Sequence, residues 1–128
     1  FIAGKTAVGG KTGFNWELDY REFENELWHL MASRSPFFET IKYKGGWVGH
    51  YDQCLLDGNP ILGPWENGLS NFILAAGFSG HGLQHAPAIS LALSEQINHG
   101  EAKSFDLSRF SYKRVEDNKP LGDTGPTP

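Results

Sequence analysis

Apolar positions along this chain gather into short runs separated by glycine-rich and polar turns, and the clearest group runs from Asn71 to Gly100. Asn71-Phe72-Ile73-Leu74-Ala75-Ala76 is a continuous apolar run, which predicts a strand covered on both faces. Gly77, Gly80 and Gly82 crowd the turn that follows, where glycine permits positive φ and close approach of a bulky group. Ala86, Ile89, Leu93 and Ile97 then recur at helical spacing, and His99-Gly100 predicts a helix end closed by a left-handed cap. Earlier, Asp19-Tyr20-Arg21-Glu22 has capping-box form, with an acceptor at the N-cap and a carboxylate three residues on. Tyr20, Phe23, Leu27, Leu30 and Met31 form the stripe of the helix it opens, while Glu22, Glu24 and Glu26 read as its solvated face. Ser35-Pro36 ends that helix, because proline disfavours helical backbone in the residue before it.

The remaining pattern fills in around these elements. Phe1 to Thr6 reads as a short strand, Ala7 to Gly13 as a glycine-rich loop, and Phe37 to Lys44 as a turn approaching a sheet. Gly46 to Leu56 predicts a long strand carrying Trp47 and Tyr51. Asp57-Gly58-Asn59-Pro60 is a turn and Ile61-Leu62-Gly63 a second short strand, so 46–63 reads as a hairpin. Trp65 to Ser70 is a loop, and Asp106 to Phe110 forms one helical turn. Glu116 to Pro128 reads as a poorly ordered tail, leaving 1–115 as a single compact unit. The sum is an α+β architecture with an antiparallel sheet and two main helices.

Composition narrows the function classes. A chain of 128 residues suits one domain, and 39% hydrophobic content makes it globular. A net charge of −4 with no basic stripe argues against nucleic acid. No apolar run approaches the roughly 20 residues of a membrane helix. Cys54 is the single cysteine, so there is no internal disulfide, and the expected setting is the cytoplasm or another reducing compartment. The chain opens on Phe1, inside an apolar run and without Met. We therefore expect the C-terminal part of a longer protein, with apolar surface that the remainder would cover and that could drive homo-oligomerisation.

Several chemistries can be weighed on these residues. Gly10-Lys11-Thr12 lacks the upstream glycine of a phosphate-binding P-loop, since Lys5 stands in its place. Gly77-Phe78-Ser79-Gly80-His81 approaches the G-x-S-x-G nucleophile elbow of hydrolases, but its fifth position is His81. His81 and His85 have the spacing of two metal ligands on one helix face, with His50 and Cys54 as further partners on paper. Pro87 interrupts regular helix there, and we expect no metal. Cys54 between Gln53 and Leu55 reads as a buried, inert thiol in a strand. What uses all three glycines together is a cofactor-facing turn, where backbone N–H groups and the positive helix end converge on one point.

Gly77-Phe78-Ser79-Gly80-His81-Gly82-Leu83-Gln84 resembles the C-terminal flavin loop of the D-amino-acid oxidase superfamily, especially its sarcosine and glycine oxidase-like branch. Asp57-Gly58-Asn59-Pro60-Ile61-Leu62-Gly63 resembles that family's D-x-x-P-I-I-G hairpin, and Asp106-Leu107-Ser108-Arg109-Phe110 its closing DLSRF motif. The resemblance covers about 110 residues, and it implies that the chain holds part of the substrate domain plus the last strand and helix of the FAD-binding domain. It further implies that Ser79, Gly80, His81, Gly82 and Leu83 contact FAD, with the turn and helix dipole favouring negative charge near N1 and O2 of the reduced ring. The hairpin would border the substrate side, which makes His50 and Tyr51 substrate-side candidates. The implied reaction is hydride transfer from the carbon of a small-molecule amine to flavin, then reoxidation by oxygen or another acceptor.

Three departures qualify what is implied. Gln84 stands where sarcosine oxidases have a lysine that holds the substrate carboxylate. The position of their covalent flavin link falls at His50, with Cys54 out of register, so the resemblance carries over no covalent link. No G-x-G-x-x-G occurs, so the pyrophosphate and adenine of FAD have no home here and the missing N-terminal FAD-binding half becomes the implied partner. The chain alone is then expected to be inactive. The alternative that the residues leave open is a non-catalytic interaction or assembly module, in which the glycine turn only packs a helix against the sheet.

Overall fold

The computed structural model describes residues 1–6, 12–65, 67–69 and 71–122. The loop read over Ala7 to Gly13 lies largely outside the described residues, as do Glu66, Ser70 and the end of the tail, 123–128. The chain divides into two compact units, Phe1–His50 and Tyr51–Pro128. Among the described residues no helix is long and apolar enough to cross a membrane.

In the first unit, Asp19 caps the opening helix as its side chain accepts from the Arg21 N–H at 3.0 Å. Glu22 does not return the capping-box bond; its carboxylate lies 3.9 Å from Lys5 Nζ. Helix α1 (Tyr20–Glu22) passes through a π-helical turn (Phe23–Leu27) into α2 (Trp28–Arg34). A π turn inserts one residue into the helical count, so the inner face shifts by one position beyond it. Leu30, expected on the apolar stripe, is accordingly 62% exposed, while Trp28, Met31 and Ala32 are half-buried. Pro36 ends α2 as expected and opens a 3₁₀ turn (Pro36–Thr40), with Ser35 Oγ accepting from the Phe37 N–H. Tyr43 packs edge-on to Tyr20 and tilted to Phe23, with ring centres 5.1 and 5.4 Å away. A Cβ at Gly46 would come within 2.9 Å of the side-chain ends of Leu18 and Tyr43, which would have to shift to admit it. The strand expected at Phe1 to Thr6 is absent: these residues form no regular element, and Phe1 and Ile2 are exposed.

The second unit corrects the expected hairpin. Gly46 to Leu56 forms no strand, and the actual pair is β1 (Ile61–Pro64) with β2 (Ile73–Ala76), antiparallel, with Ile61 opposite Ala76 and Pro64 opposite Ile73. Gly45, Gly46 and Gly49 weaken the rejected strand, while the run at 71–76 offers an apolar partner without glycine. With a single neighbour, β2 is not covered on both faces: Ala75 is exposed and its companions are half-buried. The Asp57–Pro60 turn forms as read, with Asp57 Oδ1 accepting from the Asn59 N–H at 3.0 Å and Gly58 at φ +74°. Helix α3 (Gly82–His99) closes on Gly100 at φ +80°. Its inner stripe is His85, Ile89, Ala92, Leu93 and Gln96, which keeps Ile89 and Leu93 of the four residues read from the sequence and leaves Ala86 and Ile97 exposed. The closing motif forms a 3₁₀ turn (Ser108–Phe110), and a short helix α4 (Lys113–Glu116) that the sequence did not announce follows it. Beyond α4, within the stretch read as tail, the Leu121 N–H donates to Asp57 Oδ2 at 2.7 Å. The fold is α+β, with a two-stranded antiparallel sheet and helices, and its buried positions include Cys54, Leu62, Gly77, Ser79, Ala92 and Arg114, all in this unit.

Candidate functional site

The glycine turn between β2 and α3 holds three successive departures from ordinary backbone. Gly77 has φ +72°, Ser79 +50° and Gly80 +85°, whereas Gly82 is already the first residue of α3. Two glycines of the motif thus supply positive φ as expected, and a serine supplies the third. A left-handed serine costs roughly 1–2 kcal/mol, so its surroundings must hold it there. They do so through the loop at 52–54. The Ser79 N–H donates to the Asp52 carbonyl at 2.8 Å, and the Cys54 N–H donates to Ser79 Oγ at 3.1 Å. The Ser79 hydroxyl in turn donates to the Gly77 carbonyl at 3.3 Å, and the Asp52 carboxylate accepts from the Gly77 N–H.

Each residue singled out by sequence has a definite place. Ser79 is 1% exposed, with hydroxyl and amide both engaged inside the chain. This removes the hydrolase reading, because a nucleophile needs an exposed hydroxyl and an adjacent base. His81 is the N-cap of α3, and its Nδ1 lies 2.9 Å from the Ser79 carbonyl rather than on the hydroxyl. A carbonyl can only accept, so Nδ1 carries the proton and the Nε2 lone pair is left to accept. Gly80 and Leu83 are exposed, Leu83 at 89%, and Gln84 is exposed beside them. Tyr51 borders the turn, its ring 3.6 Å from where a Cβ on Gly80 would sit. His50 belongs to the first unit, where it packs against Trp16 and Phe14 with ring centres 4.3 and 6.1 Å away. His81 and His85 rings are 6.4 Å apart, and among the described residues no three potential metal ligands gather.

The open side of the turn has the character of an acceptor site. An α-helix leaves its first N–H groups without intrahelical partners, and here no side chain of the N-cap residue closes them. The amides of Gly82, Leu83 and Gln84 therefore stand beside exposed Gly80, at the positive end of an 18-residue helix. An electron-rich edge such as that of an isoalloxazine fits this arrangement. Within the second unit, a cleft of about 250 Å³ at Gly63, Gln96 and Asp106 is lined by no residue of the turn, and the first unit has one of about 220 Å³ at Asp19 and Glu26.

A second polar cluster supports the site from behind. Arg114 and Asp57 form a buried ion pair at 2.7 Å, and Arg114 also donates to the carbonyls of Asn59 and Pro60. Burial alone would push the Asp57 carboxyl up, but hydrogen bonds from the Leu121 and Asn59 N–H groups and from Arg114 outweigh it and hold the carboxyl below the usual range. Cys54, buried as expected, sits in a loop rather than a strand, with its Cβ 3.1 Å from where one on Gly77 would lie. Asp52 and Arg114 escaped sequence reasoning altogether. Asp52 sits in a stretch that reads as strand, and the partner of Arg114 is 57 residues away, so no local signal marks either.

Comparison with known proteins gives these features a lineage. The family described as "DAO: FAD dependent oxidoreductase" matches residues 1–96. Among curated proteins, FAD-dependent oxidoreductase domain-containing protein 1 of Xenopus laevis is 41% identical over 125 residues, 94% of this chain and 24% of that protein. The Bos taurus protein of the same name is 41% identical over 100 residues, 78% of this chain and 20% of its own length. The Drosophila melanogaster homolog is 36% identical over 106 residues, 81% of this chain and 20% of its own length. This chain thus spans about a quarter or less of these relatives, and no solved structure matches it. The chain belongs to the DAO family of FAD-dependent oxidoreductases.

Proposed function

We propose that this chain contributes the isoalloxazine-facing turn and part of the substrate side of an FAD-dependent oxidoreductase that oxidises an amine or amino-acid-like small molecule. The observation that carries the reading is the N-terminus of α3, whose first-turn amides are not closed by the N-cap side chain and stand beside exposed Gly80. Gly80, His81, Gly82 and Leu83 offer this face, and Ser79 shapes it from the buried side. When bound, FAD would accept the hydride from the substrate carbon. The amides and the helix dipole would favour negative charge at the ring edge, and the His81 Nε2 lone pair would accept a proton or hydrogen bond there. Tyr51, His50 and Gln84 are the substrate-side candidates. Gln84 is neutral, so it gives a substrate carboxylate hydrogen bonds but no counter-charge. The pyrophosphate and adenine would be held by residues outside these 128, which leaves this chain inactive alone.

The test is the visible spectrum of the purified chain titrated with FAD and passed through gel filtration. A saturable shift of the flavin band, weakened by Gly80→Ala, is the expected result. A folded chain that leaves the flavin spectrum untouched both alone and when supplied with the FAD-binding half would overturn the reading. One observation favours a second reading, a non-catalytic interaction or assembly module. Leu55, Leu83 and Ile97 expose 84%, 89% and 68% of their surface, as residues awaiting a polypeptide partner would. The same gel filtration run reads self-association directly.

A further inference from the structure

We infer that Asp52 is a positioning residue for the turn that faces the flavin, an inference that rests on the proposed function above. Asp52 grips the turn at two points. Its carboxylate accepts from the Gly77 N–H, and its backbone carbonyl accepts from the Ser79 N–H at 2.8 Å. The two gripped residues are those at φ +72° and +50°, the second a value that no intrinsic preference would hold for serine. The peptide after Ser79 is oriented by this grip, and its carbonyl receives the His81 Nδ1–H at 2.9 Å. Asp52 therefore sets two things at once: the direction in which α3 begins and the tautomer of the imidazole at its N-cap. A charged acceptor on a backbone N–H is about twice as strong as a neutral one. The same charge beside the turn also opposes negative charge on a bound ring, so its use here is geometric rather than electrostatic. Asparagine keeps the acceptor oxygen without the charge, and alanine keeps neither.

The experiment compares the wild-type chain, Asp52→Asn and Asp52→Ala by three readouts. These are the imidazole nitrogen shifts of His81 in ¹⁵N NMR, followed towards high pH until they no longer change, amide exchange at Gly77, and FAD affinity from absorbance. Wild type is expected to show the Nδ1–H tautomer at His81. Asp52→Ala is expected to speed Gly77 exchange and weaken FAD binding, each roughly tenfold, as for one lost hydrogen bond, and to shift the His81 tautomer. Asp52→Asn is expected to stay within about threefold of wild type, as for retention of a weaker, neutral hydrogen bond. Unchanged tautomer and exchange in Asp52→Ala would overturn the inference, as would an Nε2–H tautomer in wild type, a measurement that needs no variant to fold. In a wild-type chain that ignores FAD when alone, tautomer and exchange still decide the role of Asp52.

Discussion

Ser79 shows how one residue can look catalytic in sequence and be architectural in the fold. Its Oγ is the acceptor for the buried Cys54 N–H, and its backbone stands at φ +50°. Ser79→Ala keeps the strain and strands that N–H, at a cost of roughly 1–3 kcal/mol in urea unfolding of the chain. Ser79→Gly loses the same bond but relieves the backbone, so its midpoint should fall less than that of Ser79→Ala; the reverse order would show that φ carries no strain here. Asp57 provides a test by pH. Its carboxyl titrates below the ordinary range in the fold, so the pair with Arg114 stabilises the protein fully above about pH 4 and less as the pH falls further. Asp57→Asn should flatten the acid limb of stability against pH, and a limb that keeps its slope would place the sensitive group elsewhere. Breaking the pair from the other side, Arg114→Met leaves a buried carboxylate without its counter-charge and should cost about 3 kcal/mol in the same unfolding assay.

At the scale of elements, what the sequence disclosed was local. Asp19 at the N-cap, Pro36 at the helix stop, Gly58 in its turn and Gly100 at its cap each act through neighbours within a few residues, and each stands where the pattern put it. What stayed hidden depends on distant partners or on a shift in count. The choice of 73–76 over 46–56 as partner for 61–64 is a long-range decision that periodicity does not encode. The π turn at Phe23–Leu27 exchanges Leu30 for Trp28 on the inner face, and no residue type announces it. At the candidate site, the turn and the helix start were legible from glycine spacing, whereas the grip of Asp52 was not. Helix α3 offers a direct check of its revised stripe. Ala92 is fully buried, so Ala92→Leu should overpack and cost roughly 1–3 kcal/mol. Ile97→Ser, on the stripe that periodicity alone favoured, should stay within about 0.5 kcal/mol of wild type, because that side chain already meets water. Equal losses in thermal melts would restore the original stripe.

At the scale of the molecule, buried positions among the described residues are few and all lie in the second unit, while exposed apolar side chains occur in both. Such a surface favours association, and replacing Leu55 and Ile97 by serine should reduce any self-association seen in sedimentation without altering helix content. The buried tie between Asp57 and Arg114 also carries a consequence in time. A ribosome delivers Asp57 first, and its turn emerges with a carboxylate that has no cation to meet until 57 further residues have been made. Through that interval the Asp57 carboxylate is held by its own turn alone. Completion then comes late and at once, when α4 and Leu121 arrive together on the same carboxylate. A nascent chain stalled before Arg114 should therefore be open to protease at the Asp57 turn, and one released after Leu121 should be closed there.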